Sequence, residues 1–281
     1  NNHEGCAAGK GDRFCAAQRS GVPSGGNRDG TDRMSDREKR RLAAEDYQYR
    51  LPDHWLLPED NIWTMMHHAY VRRAVEIVSA SGARSVIEVG CGDGWNCGQL
   101  VEAGLDVVGV DWSVNGIEHA RRMVPGARFY CGDITDTAFL DRFTEPFDAA
   151  VYIEVIEHIP PEDCVSVLRG IRNRVTPGGT LVLTTPSVNF PNDNDQHYRH
   201  FTPDLLQELV DAAGGLRTLG VEGYGNVRAE DRHWARARFV DNRLYTLHRA
   251  KAWLNARYAR HCLGAPLSEC HGLILHLKRT G

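Results

Sequence analysis

The 281-residue sequence has no run of the roughly eighteen consecutive apolar residues that a membrane-crossing helix needs. Its first residues also lack the basic-then-apolar layout of a secretory leader. A cytoplasmic protein with no membrane partner is expected. The eight cysteines never fall into CxxC pairs, and eight in a chain this long is sparse, so neither a disulfide framework nor a zinc knuckle is indicated. They read as reduced thiols, mostly filling the core. No internal repeat is present. Net charge is also small, the formal total being −4, which argues against a dedicated nucleic-acid binder.

What is present is apolar mass for one generous domain or two small ones, 42% of the residues, distributed unevenly along the chain. Residues 1–33 hold seven glycines and almost no aliphatic side chains, a composition that predicts disorder. Met34 is a candidate natural start, and Ser35 with Glu38 has the spacing of a capping box, so a helix is predicted to begin there. Residues 61–80 read as a second helix, and 34–80 as an N-terminal helical cap. Strand patterns follow at 85–89, 106–110, 127–130, 147–153, 180–185, 216–223 and 271–278, with helical patterns between most of them. Such alternation predicts an α/β, doubly wound, mostly parallel sheet.

The first strand runs into "EVGCGDGWNCGQL", where Gly90, Gly92 and Gly94 let the backbone turn tightly and approach a ligand. The dinucleotide fingerprint needs glycine at its sixth position, and Trp95 stands there, so a nicotinamide or flavin enzyme is the poorer match. Glu88 before the loop suits a cationic ligand better than a pyrophosphate, which it would repel. Asp111 at the end of the second strand is placed to accept from ribose hydroxyls, and Trp112 beside it to lie against an adenine ring. Asp133, after the third strand, can accept from an exocyclic adenine amine. For any one of these acids, capping a helix is the plainer role.

The loop "EVGCGDG", the acids in "VGVDWS" and "CGDITD", the post-strand "EVIEH" and the turn "TPGGT" stand in an order and spacing that resemble the class I S-adenosylmethionine-dependent methyltransferases. The resemblance runs from about Ser85 to Thr185, with weaker support to the C-terminus. It implies a Rossmann-like seven-stranded sheet whose last strand is antiparallel. By it, Glu88, Gly90, Cys91 and Gly92 would line the methionine and ribose of the cofactor. Asp111 and Trp112 would meet ribose and adenine, Asp133 and Ile134 the adenine edge, and Ile153 the sulfonium end.

"YIEVIEHIPPEDC" places Glu154, Glu157 and His158 at i, i+3 and i+4, one face if helical. They follow the fourth strand, beside the expected methyl group. Glu-x-x-Glu-His with a later histidine resembles the metal site of small-RNA 3′-terminal 2′-O-methyltransferases, and its first part resembles the ubiquinone-pathway O-methyltransferases. That resemblance makes Glu154, Glu157, His158 and His197 a ligand set for Mg²⁺ or Mn²⁺, with His197 preferred to His200 by its distance from Thr202. Two other readings stay open: a general base without metal, drawn from His158, His197 or Glu154, and the solvated start of a helix.

Substrate selection falls to the cap, to the loop 186–201 and to a helical insertion at 227–262, which carries nine Arg or Lys against three Asp or Glu. In the insertion, Val240, Leu244, Leu247, Leu254 and Tyr258 recur at helical spacing and are expected to pack on the domain. Its arginines read either as a grip on an anionic substrate or as a solvated surface. Trp63, His67 and His68 read either as a closure over the substrate or as packing. With the chain acidic outside that insertion, a small hydroxylated acceptor is expected and nucleic acid is not, leaving O-methylation as the leading reaction. Methylation of a terminal RNA ribose and a non-catalytic cofactor-binding scaffold are the alternatives.

Overall fold

The computed structural model describes Ala43 and residues 46–281 except 192, 193 and 243. The disorder expected of 1–33 and the Ser35–Glu38 capping box lie outside the described residues.

Strand β1 (Ser85–Val89) is fully covered at Val86, Ile87 and Val89. A strand buried on both faces is mostly apolar, and β1 departs from that only at Ser85 and at the buried Glu88. Beside it run β2 (Asp106–Asp111) and β3 (Arg128–Cys131) on one side, β4 (Phe147–Ile153) and β5 (Val175–Pro186) on the other, all parallel. β8 (Cys270–Arg279) lies antiparallel between β5 and β6 (Leu216–Asn226), and with β7 (Leu263–Ala265) at the edge the order is β3-β2-β1-β4-β5-β8-β6-β7. The expected fold class is present, with, among the described residues, one strand more than the seven read from sequence. The addition, β7 (Leu263–Ala265), pairs with the edge of β6. Three residues centred on a glycine carry no alternation to read.

Successive strand residues point to opposite faces. Val86, Val107, Val151 and Ile153 therefore face α2 (Ile62–Ala80), α3 (Trp95–Glu102) and α4 (Val114–Met123). Ile87, Val108, Ala150 and Tyr152 face α6 (Cys164–Asn173) and α7 (Pro203–Ala213). Local chemistry sets the helix starts: Asn61 accepts from Trp63 N at 2.8 Å, Ser113 from Gly116 N at 3.0 Å, and Thr202 from Leu205 N at 3.1 Å. Two short helices, α1 (Asp53–Leu56) and α5 (Thr137–Leu140), complete this layer set.

The insertion forms α8 (Val227–Ala237) and α9 (His248–Ala259) joined by a tight connector. Leu254 and Tyr258 are buried as expected, but Leu244 and Leu247 are exposed. The helical period breaks because Leu247 N donates to Val240 O at 2.7 Å, folding the chain back on itself between the two helices.

Candidate active site

The chain order reverses between β2 and β4 on either side of β1, and a sheet of this kind opens its crevice at the carboxyl ends of those strands. There Gly90, Gly92 and Gly94 adopt φ of 79°, 51° and 80°, a region that costs other residues strain. The loop is tied over β2 by Gly90 N and Cys91 N, both donating to Val110 O. Gly90 is packed as well as bent, since a β-carbon there would stand 2.3 Å from Val155 Cγ2.

Asp111 is buried, and backbone donors aim its carboxylate: Gly92 N at 2.8 Å on Oδ2 and Ser113 N at 2.8 Å on Oδ1. It thereby joins the glycine loop to the start of α4. Glu88 is fully buried and accepts from Asn96 Nδ2 and Cys97 Sγ, both at 2.9 Å. Burial lifts its pKa to about 7 against the hydrogen bonds from Cys97 and Asn96, a penalty that a nearby cation would remove. Cys91, Ile134 and Ile153 are buried, and burial pushes the Cys91 thiol up to about 11. Trp112 is half-buried, its carbonyl accepting from Cys131 Sγ. Asp133 is exposed and holds its own turn, Oδ1 accepting from Thr135 N and Thr135 Oγ1. A left-handed glycine loop, a buried acid that gains from a cation and an aimed carboxylate at the next strand fit S-adenosylmethionine, which is cationic at sulfur and amine and carries a ribose diol.

Among the described residues six free cysteines occur, and Cys131 alone of these is exposed. Asp46, Tyr49 and His54, ahead of α2, pack on the glycine loop and its neighbour α4. Tyr49 lies against Gly92, Asp46 accepts from Ser113 Oγ at 2.6 Å, and Asp93 holds His54 through both its backbone N and its ring Nδ1.

Beyond the loop a cavity of about 240 Å³ is lined by His54, Leu57, Trp63, Thr64, Met66, His67, Tyr70, Glu154, Tyr224 and His271. Trp63 and His67 thus stand at the cavity, whereas His68 stacks on Trp95 at 4.2 Å. Sequence had singled out only three of the lining residues. Tyr224 and His271 come from β6 and β8, and they meet because Tyr224 pairs with Gly272, where any β-carbon would strike the tyrosine ring. No local signal announces such a pair. His54 and Tyr70 were likewise unmarked, although Tyr70 sits one helical turn from His67 and bonds its Nδ1 at 2.8 Å.

Glu154 departs from the sequence expectation. Its φ is 53°, and the helical turn after β4 is a 3-10 turn beginning only at Ile156. The three side chains therefore do not share a helical face. Glu154 points to Thr184, whose Oγ1 donates at 2.7 Å, and into the cavity. Burial raises its pKa to about 7 despite that bond.

Glu157, His158 and His197 do come together, with ligand atoms all within 4.8 Å of one another. Glu154 stands outside this group, so the four-ligand set reduces to three. Glu157 is buried, accepts from Thr185 Oγ1 at 3.0 Å, and is held well above the carboxylate range by burial and then by the Glu154 charge. His197 is lowered to about 3, first by burial and then by the neighbouring imidazoles, so it is a neutral lone-pair donor. His200 is not a member but a positioner: its Nδ1 meets Phe190 O at 3.0 Å and its Nε2 meets His197 Nδ1 at 2.9 Å. With His200 donating to the carbonyl, His197 donates from Nδ1 and keeps Nε2 as its acceptor.

Comparison with known proteins agrees with this geometry. Residues 86–179 match a family described as a methyltransferase domain. A Mycolicibacterium smegmatis protein named "Probable S-adenosylmethionine-dependent methyltransferase" is 28% identical over 191 residues, covering 63% of this chain and 69% of that one. A ubiquinone biosynthesis O-methyltransferase of Idiomarina loihiensis is 25% identical over 159 residues, covering 50% and 64%. The chain thus spans less than two thirds of that second relative. Among solved structures, a SAM-dependent methyltransferase of Archaeoglobus fulgidus superposes with a TM-score of 0.57 at 18% identity, over 81% of this chain and 100% of that one. These matches and the shared fold support the class I S-adenosylmethionine-dependent methyltransferase superfamily.

Proposed function

We propose that this protein is an O-methyltransferase that takes a methyl group from S-adenosylmethionine to a hydroxyl of a small molecule seated in the cavity beside Glu154. The observation that carries the reading is Glu154 itself. It follows Ile153 in a conformation that a non-glycine residue adopts only when its surroundings enforce it, lines the cavity, and titrates near neutrality. The cofactor, when bound, supplies an activated methyl group. The protein's task is alignment and a place for the acceptor's proton. A carboxyl with a pKa of about 7 is part ionised at neutral pH and accepts that proton with little mismatch. The aromatic walls of Trp63, Tyr70 and Tyr224 suit a ring, and the similarity to a ubiquinone-pathway O-methyltransferase supports a hydroxyl acceptor.

The deciding assay offers phenols, catechols and sugars with methyl-labelled cofactor to the purified protein and to Glu154→Gln. The variant should bind cofactor normally and lose about 10²- to 10⁴-fold in turnover. Full turnover by the variant would exclude Glu154 as the proton acceptor.

A second reading has its own observation. One buried carboxylate and two imidazoles within ligand distance form a donor set suited to Mg²⁺, Mn²⁺ or a softer divalent ion. Glu157, His158 and His197 would hold it, and a cation there would polarise an acceptor hydroxyl and lower its pKa. Elemental analysis of the purified protein should then find a divalent metal that Glu157→Ala and His197→Ala both lose. Full activity after chelation, with no metal recovered, would leave Glu154 acting alone.

A further inference from the structure

The connector between α8 and α9 exposes what a water-soluble surface usually hides. Leu244 is 91% exposed, Phe239 and Trp253 are each 61% exposed, and Trp234, Tyr245 and Leu247 are each about half exposed. These residues do not belong to a loose loop. Leu247 N reaches Val240 O at 2.7 Å, Leu244 N reaches Asn242 Oδ1 at 3.0 Å, and Thr246 Oγ1 reaches Asp241 Oδ1 at 2.7 Å. Lys251 then ties Asp241 at 2.8 Å to Asp60 at 2.6 Å, anchoring the connector beside α2. A built turn that presents leucine to water has apolar surface with no use within this fold.

The segment that carries it is mostly of one sign, its acids being Glu230, Asp231 and Asp241. Among the described residues, no carboxylate makes an ion pair with Arg232, Arg236, Arg238, Arg249, Arg257 or Arg260. The segment 227–262 is +6, nine bases less three acids, in a chain whose total is −4. Tryptophan and leucine among unpaired arginines is the chemistry of a surface that enters the headgroup layer of an anionic membrane. The apolar tips bury, and each cation gains from the negative surface potential. We propose that the α8–α9 unit docks on an anionic phospholipid bilayer. This goes beyond the reading of the cavity and does not depend on the acceptor. The lack of a membrane-crossing helix among the described residues is compatible with it, because docking needs no crossing segment. Nucleic acid would use the arginines but gives no use to Leu244 and Leu247, and a symmetric pairing of two such +6 units would set like charges together.

The test is flotation of the full chain with phosphatidylcholine vesicles, with and without phosphatidylglycerol. Co-flotation only with the anionic vesicles, weakened by salt, is expected. Leu244→Glu and the pair Arg232→Glu with Arg236→Glu should each reduce vesicle affinity roughly tenfold or more. Leu244 is so exposed that its replacement should leave the melting temperature unchanged, which separates lost docking from lost folding. No flotation with anionic vesicles, or flotation indifferent to both variants, overturns the proposal. So does finding instead a salt-sensitive RNA complex, or a dimer that Leu244→Glu dissolves, in the absence of vesicle binding.

Discussion

At the scale of single residues, Asp111 and Glu88 meet the same expected cofactor through different physics. Asp111 is held by two backbone N–H groups, so its charge is already stabilised and its direction fixed. Asp111→Ala should weaken S-adenosylmethionine binding by about 1–3 kcal/mol, since the ribose diol loses a charged acceptor and the loop loses a tie. Calorimetry on the folded variant decides it, and unchanged affinity would remove Asp111 from the site. Glu88 is not stabilised in that way. With its pKa raised by burial to about 7, it ionises only as pH rises past neutrality, and the ionised form is the one a cationic cofactor favours. Cofactor affinity should therefore climb with pH through about 7, and Glu88→Gln should flatten that climb. An equal slope in the variant would place the titrating group elsewhere.

At the scale of elements, two glycines in the same stretch should respond in opposite senses to the same substitution. Gly94 starts α3 at a φ of 80°, and a β-carbon there would stand 2.7 Å from Ala120 Cβ and 2.9 Å from its Cα, which is backbone and cannot swing away. Gly94→Ala should lose about 1–3 kcal/mol. Gly98 lies inside α3 with ordinary contact distance to Trp55, so Gly98→Ala should gain about 0.5–1 kcal/mol from helix propensity. Denaturant midpoints of the two variants test both signs. The strands and the glycine loop were legible in the sequence because β-branched runs and glycine spacing report local backbone preferences. The cavity was mostly not legible, because Tyr224, His271 and Glu154 meet through strand pairing and one left-handed residue. Helical spacing misled twice for one reason. It placed Glu154 with Glu157 and Leu244 with Leu254, and in each case a local turn interrupts the period.

Across the whole molecule, buried and partly buried titratable groups pull stability in opposite directions with pH. Glu154, like Glu88, is raised from 4.5 to about 7, so the folded chain holds its proton more tightly than the unfolded chain does. The stability this contributes is complete below the unfolded value and is lost as pH rises through about 7. His67 and His197 are lowered from 6.5 to about 3, so they act in the reverse sense and cost stability as pH falls below 6.5. The histidines mask the carboxylates on the acid side, so the overall curve cannot isolate Glu154, but a comparison with Glu154→Gln can. The glutamine keeps the shape, carries no charge at any pH, and relieves Glu157 of its nearest like charge. Between about pH 5 and pH 8, the wild-type protein should lose on the order of 1–3 kcal/mol more stability than the variant. Urea unfolding in the presence of a chelator measures this without any acceptor. Parallel curves would mean that Glu154 ionises at its ordinary value, and a carboxylate fully charged at neutral pH would be a far weaker base for the proposed proton transfer.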